Sequence, residues 1–139
     1  MTIEIIDKTP TLQEYKYLRS LVKWDLESAR ITDERVLDSL DRCPACVTAY
    51  EGPRIVGMVR LSGDLGMYGY IQDTIVNPTH QGRGIGTKMM ERLLHKVDGL
   101  NGYLIGVCPS KVSVDFYKKF GFKKKPEDPN GFMYLETKA

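Results

Sequence analysis

The segment Gln81-Gly82-Arg83-Gly84-Ile85-Gly86-Thr87-Lys88 sets three glycines among polar and basic residues, directly ahead of an amphipathic run. A glycine costs about 1 kcal/mol in a helix interior relative to alanine, so three at a helix entrance need a reason. The first amides of a helix have no internal acceptor and lie at the positive end of its dipole. With no Cβ atoms in the way, an anion can rest directly on them. The stretch therefore reads as a pyrophosphate cradle, with Arg83 and Lys88 placed to add charge-assisted contacts. A P-loop would need Gly-Lys where the chain has Thr87 and Lys88, and a G-x-G-x-x-G fingerprint would need its third glycine at Thr87. What remains is Gln81-x-x-Gly84-x-Gly86; a bare strand-to-helix turn is the bland alternative.

A second candidate is an acid out of place. Asp73 lies in Tyr-Ile-Gln-Asp-Thr-Ile-Val, where its neighbours are apolar or amide, and a carboxylate inside such a strand is expected to face a site. Alternation puts Asp73, Ile75 and Asn77 on one side and Gln72, Thr74 and Val76 on the other. The competing reading pairs Asp73 with a nearby cation such as Arg60. A third candidate is Tyr117. If Val112, Phe116 and Phe120 form the buried stripe of a helix, Tyr117 shares another side with Ser113 and Ser110, free to meet a ligand. A phenol with a pKa near 10 is a proton donor at neutral pH.

The elements that must position these groups follow from pattern. Residues 2–7 alternate as a strand. Leu12, Tyr15, Leu18 and Val22 recur at helical spacing behind a Thr11/Glu14 capping box. A second short helix covers 32–40, with Asp33 and Glu34 at its positive end. Residues 45–51 and 55–63 form a hairpin turning at Gly52-Pro53. A strand over 69–78 is stopped by Asn77-Pro78. The next helix buries Ile85, Met89, Leu93 and Val97. An apolar strand at 102–108 reads as buried on both faces. A helix then closes at Gly121, and two last strands form a hairpin. The order implies a mixed α/β or α+β sheet in a single domain over residues 1–139, without repeats or linkers.

The chain has 139 residues, is 42% hydrophobic and 27% charged, and carries a formal charge of +2. That charge is too mild to argue for nucleic acid. No run approaches the roughly 18 apolar residues of a membrane span, and the first residues do not read as a signal peptide. Three cysteines form no disulfide framework, so a cytoplasmic location is expected.

The loop Gln81-x-x-Gly84-x-Gly86, the strand Ile-Gln-Asp-Thr-Ile-Val-Asn-Pro before it and Phe-Tyr-Lys-Lys-Phe-Gly-Phe after it resemble, in order and spacing, the core motifs of the GCN5-related N-acetyltransferase (GNAT) superfamily. The likeness covers roughly residues 55 to 125, and the first fifty residues match only in element order. It implies a GNAT fold: one mixed twisted sheet of about six to seven strands flanked by about four helices, splayed between strands 4 and 5. It implies acetyl-CoA as co-substrate and no metal. The pyrophosphate would rest on amides from Arg83 to Thr87, with Gln81, Gly82, Gly84, Ile85, Gly86 and Lys88 in the same cradle. Pantetheine would lie along the strand near Ile75 and Val76, pairing as an added strand. A strand amide near Ile75 would meet the oxyanion. Tyr117 matches the family's tyrosine and would protonate the departing thiolate; Asp73 would be the base that takes the amine's proton. A narrower resemblance, to plant and cyanobacterial serotonin N-acetyltransferase-like members, pairs an aspartate and a tyrosine at these positions. Two departures stand out. Ser110 and Ser113 replace the Asn and Ala of many relatives, so a CoA contact at Ser110 is lost or water-mediated.

The implied activity is acetyl transfer from acetyl-CoA to a primary amine (a small amine, arylalkylamines included, or a peptide amine) by direct attack in a ternary complex. The rival is a CoA-binding sensor without turnover. A nucleic-acid module built on Lys118, Lys119, Lys123, Lys124 and Lys125 is a third; the cluster reads first as a solvated face. A homodimer is left open, and no membrane partner is expected. Cys43 and Cys46 lack two further ligands for zinc. Cys108 reads as small buried filler, His80 as a solvated loop residue, and Trp24, Tyr68 and Tyr70 as packed core.

Overall fold

The computed structural model describes residues 2–22, 31–97, 104–110, 113–125 and 128–136. The expectations for Trp24 and Val112 lie outside the described residues.

Strand β1 (Ile3–Asp7) leads into α1 (Leu12–Leu21). The capping box is formed: Glu14 N donates to Thr11 Oγ1 at 3.1 Å and Thr11 N to Glu14 Oε1 at 2.9 Å. Such a cap stabilises a helix by about 1 kcal/mol. Helix α2 (Asp33–Asp41) is capped by Thr32, whose hydroxyl accepts from Arg35 N. Strands β2 (Ala45–Glu51) and β3 (Arg54–Ser62) form the hairpin, with Gly52 at φ 59 in its turn. Strand β4 (Tyr68–Val76) runs through a single 3₁₀ turn at Pro78–His80 into α3 (Ile85–Val97). Strand β5 (Leu104–Val107), helix α4 (Val114–Lys118) and strands β6 (Lys123–Lys125) and β7 (Asp128–Glu136) complete the order.

The strands form one seven-stranded sheet in the order β1-β2-β3-β4-β5-β7-β6, antiparallel except between β4 and β5. The last two strands do pair, but β7 enters between β5 and β6. The longer strand carries fully buried Met133 inward, and the short all-lysine strand takes the edge, where charge blunts edge pairing.

Two cores sandwich the sheet. On one face α3 presents Ile85, Met89, Leu93 and Val97, all nearly inaccessible, with Ile71, Ile105 and Met133. On the other face α1 and α2 pack Tyr15, Leu18, Val36 and Leu40 against Met58 and Ile75. Coverage on both sides explains why β2 and β3 are buried along almost their whole length.

Strand β4 is irregular in two ways. Arg60 pairs with Gln72 and Met58 with Ile75, so β4 carries one extra residue, and Asp73 sits there at φ 51. The bulge changes the strand's phase: Ile71 joins the α3 core, yet Ile75, four residues on, joins the α1/α2 core. In addition, β4 and β5 pair only at Tyr68–Leu104, Gly69–Ile105 and Tyr70–Gly106. Beyond Tyr70 they part, and β4 from Ile71 to Val76 is paired on the β3 side alone among the described residues.

Candidate functional site

A cleft of about 600 Å³ opens where β4 and β5 separate. Its lining comes from both faces of the sheet: Val76, Gly86, Ser110 and Tyr117 on the α3/α4 side, Arg19 and Arg60 with Asp73 on the α1 side. Parting strands leave backbone donors and acceptors without partners, and an extended amide-bearing ligand can satisfy them.

The glycine loop meets one end of the cleft through Gln81 and Gly86, while Gly82 to Ile85, Thr87 and Lys88 lie beyond its lining. Gly82 and Gly84 take φ of 80 and 79, where a side chain is strained, and a Cβ at either would point into open space. Lys88 N donates to Gly84 O at 3.0 Å, the first closed turn of α3, so the amides of Ile85, Gly86 and Thr87 precede any intrahelical acceptor. Ile85 anchors the turn in the core at 3% exposure, while Gly82, Arg83, Gly84 and Lys88 are exposed. A Cβ on Gly86 would only reach ordinary contact with Phe116 and Val76. Gln81 does something the sequence did not suggest: its Nε2 donates to Val76 O at 3.1 Å, so it ties the loop to the end of β4. Ile75 turns its side chain into the α1/α2 core and is absent from the cleft lining, which takes Thr74 and Val76 on either side of it. Lys119 Nζ lies 3.4 Å from Thr87 Oγ1, bringing part of the lysine cluster to the α3 entrance.

Tyr117 is 5% exposed and belongs to the α3-side core, its ring meeting Phe116 and Phe122 edge-on. The expectation of a free face is corrected: Phe116 and Phe120 are the partly buried neighbours and Tyr117 the buried one. Its hydroxyl nevertheless reaches the cleft and donates to Thr74 Oγ1 at 3.0 Å. Burial pushes the phenol above its ordinary value, with the Thr74 hydroxyl opposing, so it stays protonated at neutral pH. Ser110 and Ser113 line the cleft beside it, bonded to each other at 3.0 Å.

Asp73 is the hub of a polar cluster. Its Oδ2 accepts from Tyr15 Oη at 2.7 Å and Arg60 Nε at 2.7 Å, and its Oδ1 from Arg19 Nη1 at 2.8 Å. The carboxylate is 5% exposed. The pairing with Arg60 held as the alternative is present, and Arg19 and Tyr15 join it. Three of about four lone-pair positions are taken, which leaves one on Oδ1, and the residue lines the cleft.

Other expectations shift. Cys108 is exposed and lines the cleft, because β5 ends at Val107. Tyr68 is 53% exposed rather than core, and Tyr70 lines the cleft, stacked on Phe132. Gly106 makes room for that stack, since a Cβ there would fall 1.9 Å from the Phe132 ring. His80 is tied to Thr79 and Glu51 rather than solvated. Cys43 accepts from Arg60 at 3.2 Å, and Cys46 is buried on β2. Sequence reasoning missed Tyr15, Arg19 and Thr74. The signal for the first two was their i, i+4 spacing on one helix face.

Residues 10–122 match the acetyltransferase (GNAT) family. The chain belongs to the GNAT family. The match starts at the head of α1, well before the residue 55 that the motifs suggested. Serotonin N-acetyltransferase 2 of Oryza sativa subsp. japonica, a chloroplastic protein, is 29% identical over 85 residues, 61% of this chain and 42% of that protein. The chain spans 31% to 47% of the length of the first five curated relatives it matches. The GNAT fold is shared with a Staphylococcus aureus protein described as a probable acetyltransferase, at TM-score 0.83 and 24% identity over 99% of this chain and 100% of that one. A GNAT acetyltransferase from Brucella melitensis, in complex with acetyl-CoA, superposes at TM-score 0.69 and 19% identity over 99% of this chain and 90% of that one. No helix among the described residues is long and apolar enough to cross a membrane.

Proposed function

We propose that this GNAT chain transfers the acetyl group of acetyl-CoA to a primary amine by direct attack in a ternary complex. The observation that carries the reading is the cleft at the sheet opening. It joins a glycine loop with free first-turn amides to a buried, protonated tyrosine, and it is reached from both faces of the sheet. The pyrophosphate is assigned to the amides of Ile85, Gly86 and Thr87, with Arg83, Lys88 and Lys119 adding charge. Pantetheine is assigned to the one-sided stretch of β4 near Val76. The amine enters from the α1 side.

In the step itself the amine nitrogen bonds to the thioester carbon and the carbon–sulfur bond breaks. Tyr117 gives its phenolic proton to the leaving thiolate, the Thr74 hydroxyl holding it in place. The amine's proton leaves through the open position on Asp73 Oδ1 or through water. Asp73 is assigned first to fixing Arg19 and Arg60, because protonation would cost it both ion pairs. With all three cysteines free, the reducing cytosol is the compartment proposed.

The test is release of free thiol from acetyl-CoA across a panel of small, arylalkyl and peptide amines, alongside calorimetric titration with acetyl-CoA. Binding with amine-dependent thiol release is the expected result. Binding without release on any amine would give the sensor reading instead.

A further inference from the structure

Beside the cleft lies a second, smaller pocket of about 220 Å³ between α1, α2 and β3, and its lining is cationic: Arg19, Arg35 and Arg60, with Tyr15, Val36 and Ser39. Arg19 and Arg60 line both spaces, so the pocket is a side chamber of the cleft on its α1 side. Three guanidiniums line it, and two of them are paired with Asp73 of the main cleft. Asp73 takes Nε of Arg60 and Nη1 of Arg19. Arg60 Nη1 is spent on Ser39 Oγ and Cys43 Sγ, while its Nη2 has no protein acceptor among the described residues. Arg35 contributes its backbone N–H to the α2 cap, and its guanidinium has no acid partner among the described residues. The α2 acids Asp33 and Asp38 pair elsewhere, with Lys16 and Arg42.

Resting on the acetyltransferase reading above, we infer that the acceptor is an amine that also carries an oxyanion, a carboxylate or a phosphate. The acid group lies in this side chamber, and the amine reaches through the shared Arg19–Arg60 wall toward Tyr117. The charge count decides against a purely cationic acceptor. Among the described residues the lining of the chamber is net positive, so an aminium with no acid group meets repulsion where an aminium with one meets a compensating fork. Planar guanidiniums also bind carboxylate and phosphate through paired N–H donors, fixing orientation as well as charge. The same positive field favours the neutral form of the incoming amine, which is the form that attacks. Arg35 and the Nη2 group of Arg60 are the anion's contacts, with Arg19 held between anion and Asp73.

The experiment compares matched amines by thiol release: short ω-amino acids against their amides, aminoalkylphosphonates, and L-phenylalanine against phenethylamine. Acid-bearing amines should exceed their uncharged partners in kcat/KM by about 10- to 100-fold, the range of one or two charged hydrogen bonds. The carboxylate and phosphonate arms tell which oxyanion is preferred. Arg35→Gln, at an exposed helix position, should erase most of that preference through KM for the amine while KM for acetyl-CoA holds. Equal or better turnover of the amides or of phenethylamine overturns the inference. If no amine is acetylated, the acetyltransferase reading fails by itself. The chamber is then judged by titrating 15N-labelled protein with glutarate and with glutaramide: movement of the Arg35 and Arg60 side-chain resonances by the acid alone upholds the anion site, and no movement overturns it.

Discussion

The ring of Tyr117 and its hydroxyl carry different loads. The ring fills the α3-side core against Phe116 and Phe122, whereas the hydroxyl touches Thr74 at the cleft. Tyr117→Phe should therefore cost only about 0.5–1.5 kcal/mol of stability, leave KM for acetyl-CoA within about twofold, and lower kcat by about 10²- to 10³-fold. Thiol-release kinetics with a thermal melt on the same samples separate the two effects; undiminished kcat removes the assigned role. Asp73 predicts the reverse balance. Asp73→Asn keeps a residue type that tolerates φ 51, but removes the carboxylate charge that Arg19 and Arg60 share. A loss of about 2–4 kcal/mol in urea unfolding is expected. An unchanged pH–rate profile in that variant would mark Asp73 as an anchor, and an altered one as the base. At this scale the sequence was half legible. Asp73 and Arg60 lie on adjacent strands, so their pairing could be anticipated. Tyr15 and Arg19 reach Asp73 across 58 and 54 positions, and Tyr15 was hidden inside an apparently apolar stripe. Tyr117 was misplaced because α4 is only five residues long, too short for helical counting from Val112 to hold phase.

Among the elements, the junction of β4 with α3 holds two glycines at positive φ. Gly84→Ala must hold a side chain at φ 79, a strain of about 1–2 kcal/mol, and it places a methyl group in the open space ahead of α3. Acetyl-CoA affinity measured by calorimetry should fall at least about tenfold. Gly86→Ala, with only ordinary contacts awaiting its Cβ, should be milder in stability and tests whether the first-turn amides need clearance. Most elements were legible because hydrophobic period and capping residues are local signals: the Thr11/Glu14 box and the buried stripe of α3 are found where the pattern put them. The place of β7 was not, since strand order is decided by competition between distant segments for the sheet centre.

For the whole molecule, alkaline pH is the informative stress. Burial first, then the neighbouring carboxylates of Asp73 and Glu14, pushes Tyr15 and Tyr50 from 10.0 up to about 12. Burial with the Cys108 contact does the same to Tyr70, and burial lifts Cys46 from 9.0 to about 12. Between these values the unfolded chain has lost protons that the folded chain retains, so stability falls as pH rises. Urea midpoints should be insensitive to these groups below about pH 8, begin to fall near pH 9 through Cys46 and drop steeply from about pH 10 to 12 as the tyrosines join; a flat profile there would contradict the burial of the four groups.

The extra residue at Asp73 also bears on what β4 would lose if it were one residue shorter. One kink in one strand sorts Ile71 into the first hydrophobic compartment and Ile75 into the second, and it aims a carboxylate at α1 in the same stroke. Deleting Thr74 would restore a regular strand, with Ile75 still opposite Met58 and both compartments keeping their contents, but it would turn the acid to the Val59 side, away from its three donors. The extra residue therefore serves the acid rather than the packing: a β4 shortened by one would keep its core and lose the Asp73 cluster.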